Sequence, residues 1–238
     1  MQREAPDAAP SKVTAAHLRR ADRTCARRLS LDQQEQRGNR PSSRRFEVAN
    51  RLTADVRLAH TEGGTPDDRA FVVPTDLVPE QQRLYAAGAR GYLACFGDRP
   101  ARLLPADTWA TEHPDLGVRL VGDLGIALER PDGGRELRVL RLDGRSGRDR
   151  LDEVEVTVAV LRAAPFAGDR FELVAADLLT ASATRLAVDV VAELPAARAW
   201  LVERLGVLRD RTRRAEPTVG ADCQGCPFVA GCPPHRDR

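Results

Sequence analysis

The chain of 238 residues has a single lysine, Lys12, and every other strongly basic residue is arginine. Any mechanism that needs a lysine ammonium in the body of the fold is thereby excluded. Long apolar runs are also missing: no stretch approaches the ~20 consecutive apolar residues of a membrane helix. Met1 to Pro10 holds two acids and two prolines where a secretory leader would carry a hydrophobic core. A cytoplasmic location with no membrane partner is the expectation. Cysteine is scarce, with five in the chain. A reducing compartment disfavours structural disulfides and leaves metal binding or buried thiols as the usual reasons to keep them.

The chain is 42% hydrophobic and 30% charged, the composition of a folded globular protein. Its length suffices for one sizeable core. The formal net charge of +2 hides an uneven distribution, because Arg19 to Arg51 carries ten arginines against four acids and Arg198 to Arg214 six against two. The expected organisation is a flexible start over 1–10 and one domain over 11–238. Within that domain, 11–97 is helical, 117–192 forms the sheet core, and 193–238 holds the last helix and a cysteine cluster.

Ser11 or Thr14 is placed to cap a helix through His17 to Leu29, with Leu18, Ala21, Cys25 and Leu29 on one face and Arg20, Arg23 and Arg27 on another. A second helix is predicted from Phe46 to His60 with Val48, Leu52, Val56 and Ala59 inward, and a third from Pro79 to Phe96 along Leu84, Ala87, Gly91 and Ala94. The period then changes. Val118 to Val121, Leu124 to Leu128 and Glu136 to Leu142 read as strands, the last two joined across the turn Pro131-Asp-Gly-Gly134. Val154 to Ala164 is compatible with strand or helix. Phe171 to Ala175 and Arg185 to Val191 read as strands separated by a turn with Thr180 and Ser182. Leu194 and Pro195 open a final helix along Ala197, Leu201, Leu205 and Leu208.

That helix leads into Cys223-Gln-Gly-Cys226-Pro-Phe-Val-Ala-Gly-Cys232, a Cys-x2-Cys-x5-Cys motif. Three thiolates so spaced fold around one metal centre, with Gly225 and Gly231 permitting a tight backbone. A cubane cluster needs four, and Cys25 is the best supplier of the last. Cys95, in Tyr92-Leu-Ala-Cys-Phe96, reads as a core thiol. The competing reading is zinc held locally by Cys223, Cys226, Cys232 and His235.

One cysteine before the core and three after it, as Cys25, Cys223, Cys226 and Cys232 stand here, resembles the PD-(D/E)XK nucleases with an iron-sulfur staple, such as the CRISPR-associated exonuclease and the nuclease domain of AddB. The resemblance spans about Leu18 to His235. It implies an α/β (α+β) fold, a mixed central sheet with flanking helices closed by a cysteine-ligated 4Fe-4S module that joins the two chain ends. In that family a helix histidine, an aspartate at a strand end and an acidic-x-lysine pair on the next strand hold Mg²⁺ or Mn²⁺ and orient water. His60 and Asp123 match the first two. The third is Glu136-x-Arg138, or a full replacement at Val139 and Arg141.

Arginine is a poor stand-in for that lysine, since its guanidinium stays charged and is bulkier. The expected function is therefore an iron-sulfur protein of nuclease fold that binds DNA or a nucleic-acid-processing partner, weakly active or inactive as a nuclease, with Arg20, Arg23 and Arg27 on phosphates. The alternatives are an active Mg²⁺- or Mn²⁺-dependent nuclease using Asp123 and Glu136, and a metal-cluster regulator of the WhiB type or a zinc-binding protein. A gap of roughly 200 residues between Cys25 and Cys223 requires a folded domain between ligands, which favours the staple.

Overall fold

The computed structural model describes residues 11–15, 18, 44–105, 112–113, 117–120, 125–144, 151–214, 223 and 232. The fold is mixed α/β and divides into two compact units, one of Met1–Pro41, Glu112–Gly122 and Arg198–Arg238, the other of Ser42–Thr111 and Asp123–Ala197.

In the first unit, β1 (Ser11–Val13) pairs parallel with β4 (Val118–Leu120), which pairs antiparallel with β3 (Glu112–His113). Ser11 thus lies in a strand, not at a helix cap. Its backbone groups are taken up by a distant partner strand, which no local pattern announces. Thr14 instead accepts from the backbone N–H of Leu18, as a first helical turn requires. The rest of the expected His17–Leu29 helix is outside the described residues.

The second unit is built on a five-stranded sheet of order β2-β5-β6-β7-β8, comprising β2 (Arg102–Leu103), β5 (Ile126–Glu129), β6 (Arg135–Arg141), β7 (Phe171–Asp177) and β8 (Ser182–Val188). The predicted hairpin is β5–β6. Gly133 takes φ 78° in its turn, and Asp132 Oδ1 accepts from the backbone N–H of Gly134 at 3.0 Å. β7 pairs parallel with β6, so a crossover must join them. That crossover is a helix, α3 (Glu153–Arg162), which settles the Val154–Ala164 ambiguity. Its β-branched residues are outweighed by a reciprocal cap between Asp152 and Glu155 at its first turn.

Helices α1 (Arg44–Ala59) and α2 (Pro79–Phe96) cover one sheet face with a core that includes Val48, Leu52, Val56, Tyr85, Tyr92, Phe96, Leu128 and Val174. On the other face, Ala159 and Ala163 pack with Leu137, Phe171 and Leu173. The buried line of α2 is Tyr85, Gly88, Ala89, Tyr92 and Phe96; Leu84 and Ala87 are only half-buried and Ala94 is exposed, so of the predicted line only Gly91 is fully buried. Aromatic rings bury more area than alanine methyls. Gly91 fixes the orientation as well, since a Cβ there would sit 1.7 Å from the carbonyl oxygen of Leu178.

Two other boundaries move. The strand expected over Arg185–Val191 is Ser182–Val188, and the last helix, α4 (Val190–Arg214), begins four residues before Leu194. Asp189 starts it, its Oδ1 accepting from the N–H of Ala192 at 3.1 Å, so Pro195 stands inside the helix and not in its first turn. Among the described residues no helix is long and apolar enough to cross a membrane.

Candidate functional site

Period two along β6 puts Glu136 and Arg138 on the face that meets α1 and α2. β6 lies between β5 and β7, so this is no edge hairpin with a solvated side. Arg138 is 0% exposed and Glu136 1%. Arg138 Nε donates to Glu136 Oε1 at 2.5 Å, and its Nη1 donates to the Tyr92 hydroxyl at 2.5 Å. The guanidinium carbon stands 4.0 Å from the centroid of the Phe96 ring, a cation–π contact in a dry site. Tyr92 and Phe96 are four apart on α2 and therefore share the face that presses on β6.

His60, one residue beyond α1, is also 0% exposed. Its Nδ1 lies 2.9 Å from the carbonyl oxygen of Ala101 and its Nε2 2.7 Å from the Tyr92 hydroxyl. A carbonyl only accepts, so Nδ1 carries the proton and Nε2 offers its lone pair. The donor order is then fixed: Arg138 to Tyr92, Tyr92 to His60, His60 to Ala101. Burial lowers the His60 pKa below 6.5, opposed by the Ala101 bond and reinforced by Arg138. Burial pushes Tyr92 up to about 12 against the pull of Arg138.

The other oxygen of Glu136 accepts from Arg185 Nη1 at 3.3 Å, and Arg185 also reaches Glu172 at 3.4 Å. Arg130 Nη1 completes the row at 2.7 Å from Glu172 and its Nε lies 3.2 Å from Asp132. Burial would raise the Glu172 pKa, but Arg130 and Arg185 prevail and hold it low. The register β6–β7 sets Glu136 beside Glu172, and like charges so placed need the guanidinium of Arg185 between them. Three guanidiniums and three carboxylates thus alternate in a chain from Arg138, where Tyr92 and His60 join it, out to Asp132.

Of the sequence-predicted catalytic residues, His60, Glu136 and Arg138 come together, and Asp123 lies outside the described residues. The alternative pair does not join them: Val139 is buried and Arg141 bonds Glu155 at 2.5 Å on α3, beyond the other sheet face. Tyr92, Phe96, Glu172, Arg185 and Arg130 were not read as site residues. A cleft of 360 Å³ lined by Gly63, Gly64, Ala101, Arg102, Arg130 and Gly133 opens nearby, without Glu136 or Arg138 in its wall.

Cys223 and Cys232 are half-buried and in no disulfide, whereas Cys25, Cys226, His235, Arg20, Arg23 and Arg27 lie outside the described residues. Among the described residues no three His, Cys, Asp or Glu side chains converge on one point. Cys95 is partly buried against the core, and that burial raises its pKa. No family model matches the chain. No curated protein matches it either.

The network has no place for a second proton on His60, because both ring nitrogens already have partners and Arg138 Nη1 stands 3.4 Å from Nε2. With the folded pKa below the unfolded one, the unfolded chain binds more protons between the two values. The contribution of this site to stability is complete above pH 6.5 and is lost as the pH falls from there toward the folded-state pKa, at about 1.4 kcal/mol per pH unit for one proton. Urea unfolding from pH 8 to 5 is expected to show this slope in the native chain and a flatter one in His60→Asn. Identical slopes would remove His60 from the account.

Proposed function

We propose that this chain is an iron-sulfur protein of nuclease fold that binds DNA, or a partner that processes DNA, without hydrolysing it. The order of features supports the nuclease reading: His60, one residue beyond α1, precedes the five-stranded sheet, Asp123 precedes β5 in the sequence, and Glu136-x-Arg138 lies on β6, the hairpin partner of β5. The observation that carries the non-hydrolytic half is the closed state of the acidic-x-basic pair, with both Glu136 oxygens on guanidiniums and Arg138 fully buried.

Metal-dependent hydrolysis needs a carboxylate with an oxygen free for a hard cation and a group able to move a proton or orient water. Glu136 faces two guanidiniums that would repel a divalent ion. A guanidinium is a poor proton carrier, and the lone pair of His60 is taken by Tyr92. These residues therefore do not fit Mg²⁺ or Mn²⁺. What they do is hold α1 and α2 against the sheet.

For the cluster, Cys223 and Cys232 supply two of the four thiolates that a cubane needs, with Cys226 and Cys25 as the others. Such a centre would supply folding free energy at the chain ends. Anaerobically purified protein is expected to be brown, to contain iron and sulfide, and to shift DNA in a gel while leaving it uncut. Single Ser substitutions at Cys25, Cys223, Cys226 or Cys232 lose the iron; Cys95→Ser keeps it. Zinc in place of iron, retained by Cys25→Ser and lost by His235→Ala, would establish the local zinc site instead.

A further inference from the structure

Many described arginines of the second unit are engaged by acids, among them Arg51 with Asp76, Arg102 with Glu129 and Arg170 with Asp132. Arg83 and Arg90 on α2, like Arg45 on α1, are exposed, and none makes a side-chain ion pair or hydrogen bond with a described residue. Seven residues separate Arg83 from Arg90, two helical turns and about 10.5 Å along the axis, so they point to the same side. Between and beside them on that side stand Ala86, Ala87 and Ala94. Glu80, the acid one turn before Arg83, is itself engaged. The outward stripe of α2 thus carries two guanidiniums without an ion-pair partner among the described residues, beside half-buried Ala86 and Ala87 and exposed Ala94, on a helix whose opposite side is fixed by Tyr92 and Phe96 in the core.

We infer that this stripe is where the phosphate backbone of duplex DNA docks. The inference rests on the DNA-binding reading above and names its surface. No described residue of the second unit pairs with either cation, and a guanidinium fork matches phosphate oxygens bidentately. Alanine side chains let a backbone approach closely and carry no donor or acceptor to read base edges, so the contact is independent of sequence.

The experiment measures affinity of the full, cluster-replete chain for a mixed-sequence duplex and for its scrambled version across a range of salt. Each lost phosphate contact lowers the slope of log Kobs against log[salt] by ~0.9. Arg83→Ala/Arg90→Ala is expected to reduce the slope by about 1.8 on both duplexes, with an unchanged melting temperature, while Arg170→Ala leaves it unaltered. A double variant with the native slope, or an equal drop in Arg170→Ala, overturns the inference and leaves DNA binding intact. Native protein that binds neither duplex overturns the underlying reading and this surface with it.

Discussion

Arg138→Ala is expected to destabilise the protein by about 3–5 kcal/mol, the usual cost of breaking a buried ion pair. The size follows from what remains. Glu136 stays 1% exposed and loses its 2.5 Å partner, keeping only the longer contact to Arg185 at 3.3 Å. Tyr92 loses a donor and Phe96 the cation above its ring. The double variant Glu136→Leu/Arg138→Met should recover most of that loss, because apolar residues of similar volume carry no desolvation cost and replacing a buried pair is often neutral. Tyr92 can still donate to His60, and Arg185 can still pair with Glu172. Denaturant midpoints at constant m-value measure both. A loss under ~1 kcal/mol in Arg138→Ala, the range of solvated pairs, would mean that this guanidinium is not sealed in the core.

The same pair shows how far sequence reasoning reaches. Alternation along Glu136 to Leu142 correctly set Glu136 and Arg138 on one face, and the helical period of α1 correctly turned Val48, Leu52 and Val56 inward, each at most 1% exposed. Period gives the face that a residue shares, but not what lies opposite. Tyr92, Arg185 and Glu172 come from elements 46, 47 and 36 residues from Arg138, Arg138 and Glu136, and only the sheet order and the packing of α2 on the sheet bring them in.

On α2 two lines of small and apolar residues run one residue apart, Leu84-Ala87-Gly91-Ala94 and Tyr85-Gly88-Ala89-Tyr92-Phe96. Periodicity alone ranks them evenly. Ring volume decides for the second, and of the first only Gly91 is buried, where a Cβ would meet Leu178. A usable signal was present: in a chain that is 4% aromatic, three rings on one helix face mark the core. The strands β1, β2 and β3 have two or three residues each, too short for an alternation pattern, and they exist through non-local pairing. The early start of α4 was legible in Asp189, an N-cap residue passed over in favour of Pro195.

An acidic-x-basic pair closed to metal and water, as proposed above, leaves DNA uncut, and a cleavage assay reads this directly. A lysine in this place would help orient water and stabilise developing charge. Arg138 instead donates to Glu136 and Tyr92 inside the core, so neither its guanidinium nor the Glu136 oxygen it meets is open to a cation or a water. Cluster-replete protein is incubated with single-stranded and double-stranded DNA ends in Mg²⁺ or Mn²⁺, beside Asp123→Ala and Glu136→Gln. The expected result is no cleavage above the level of either variant. Robust cleavage by the native chain that both substitutions abolish, with their folds intact, would contradict the account and establish Glu136-x-Arg138 as a working catalytic pair.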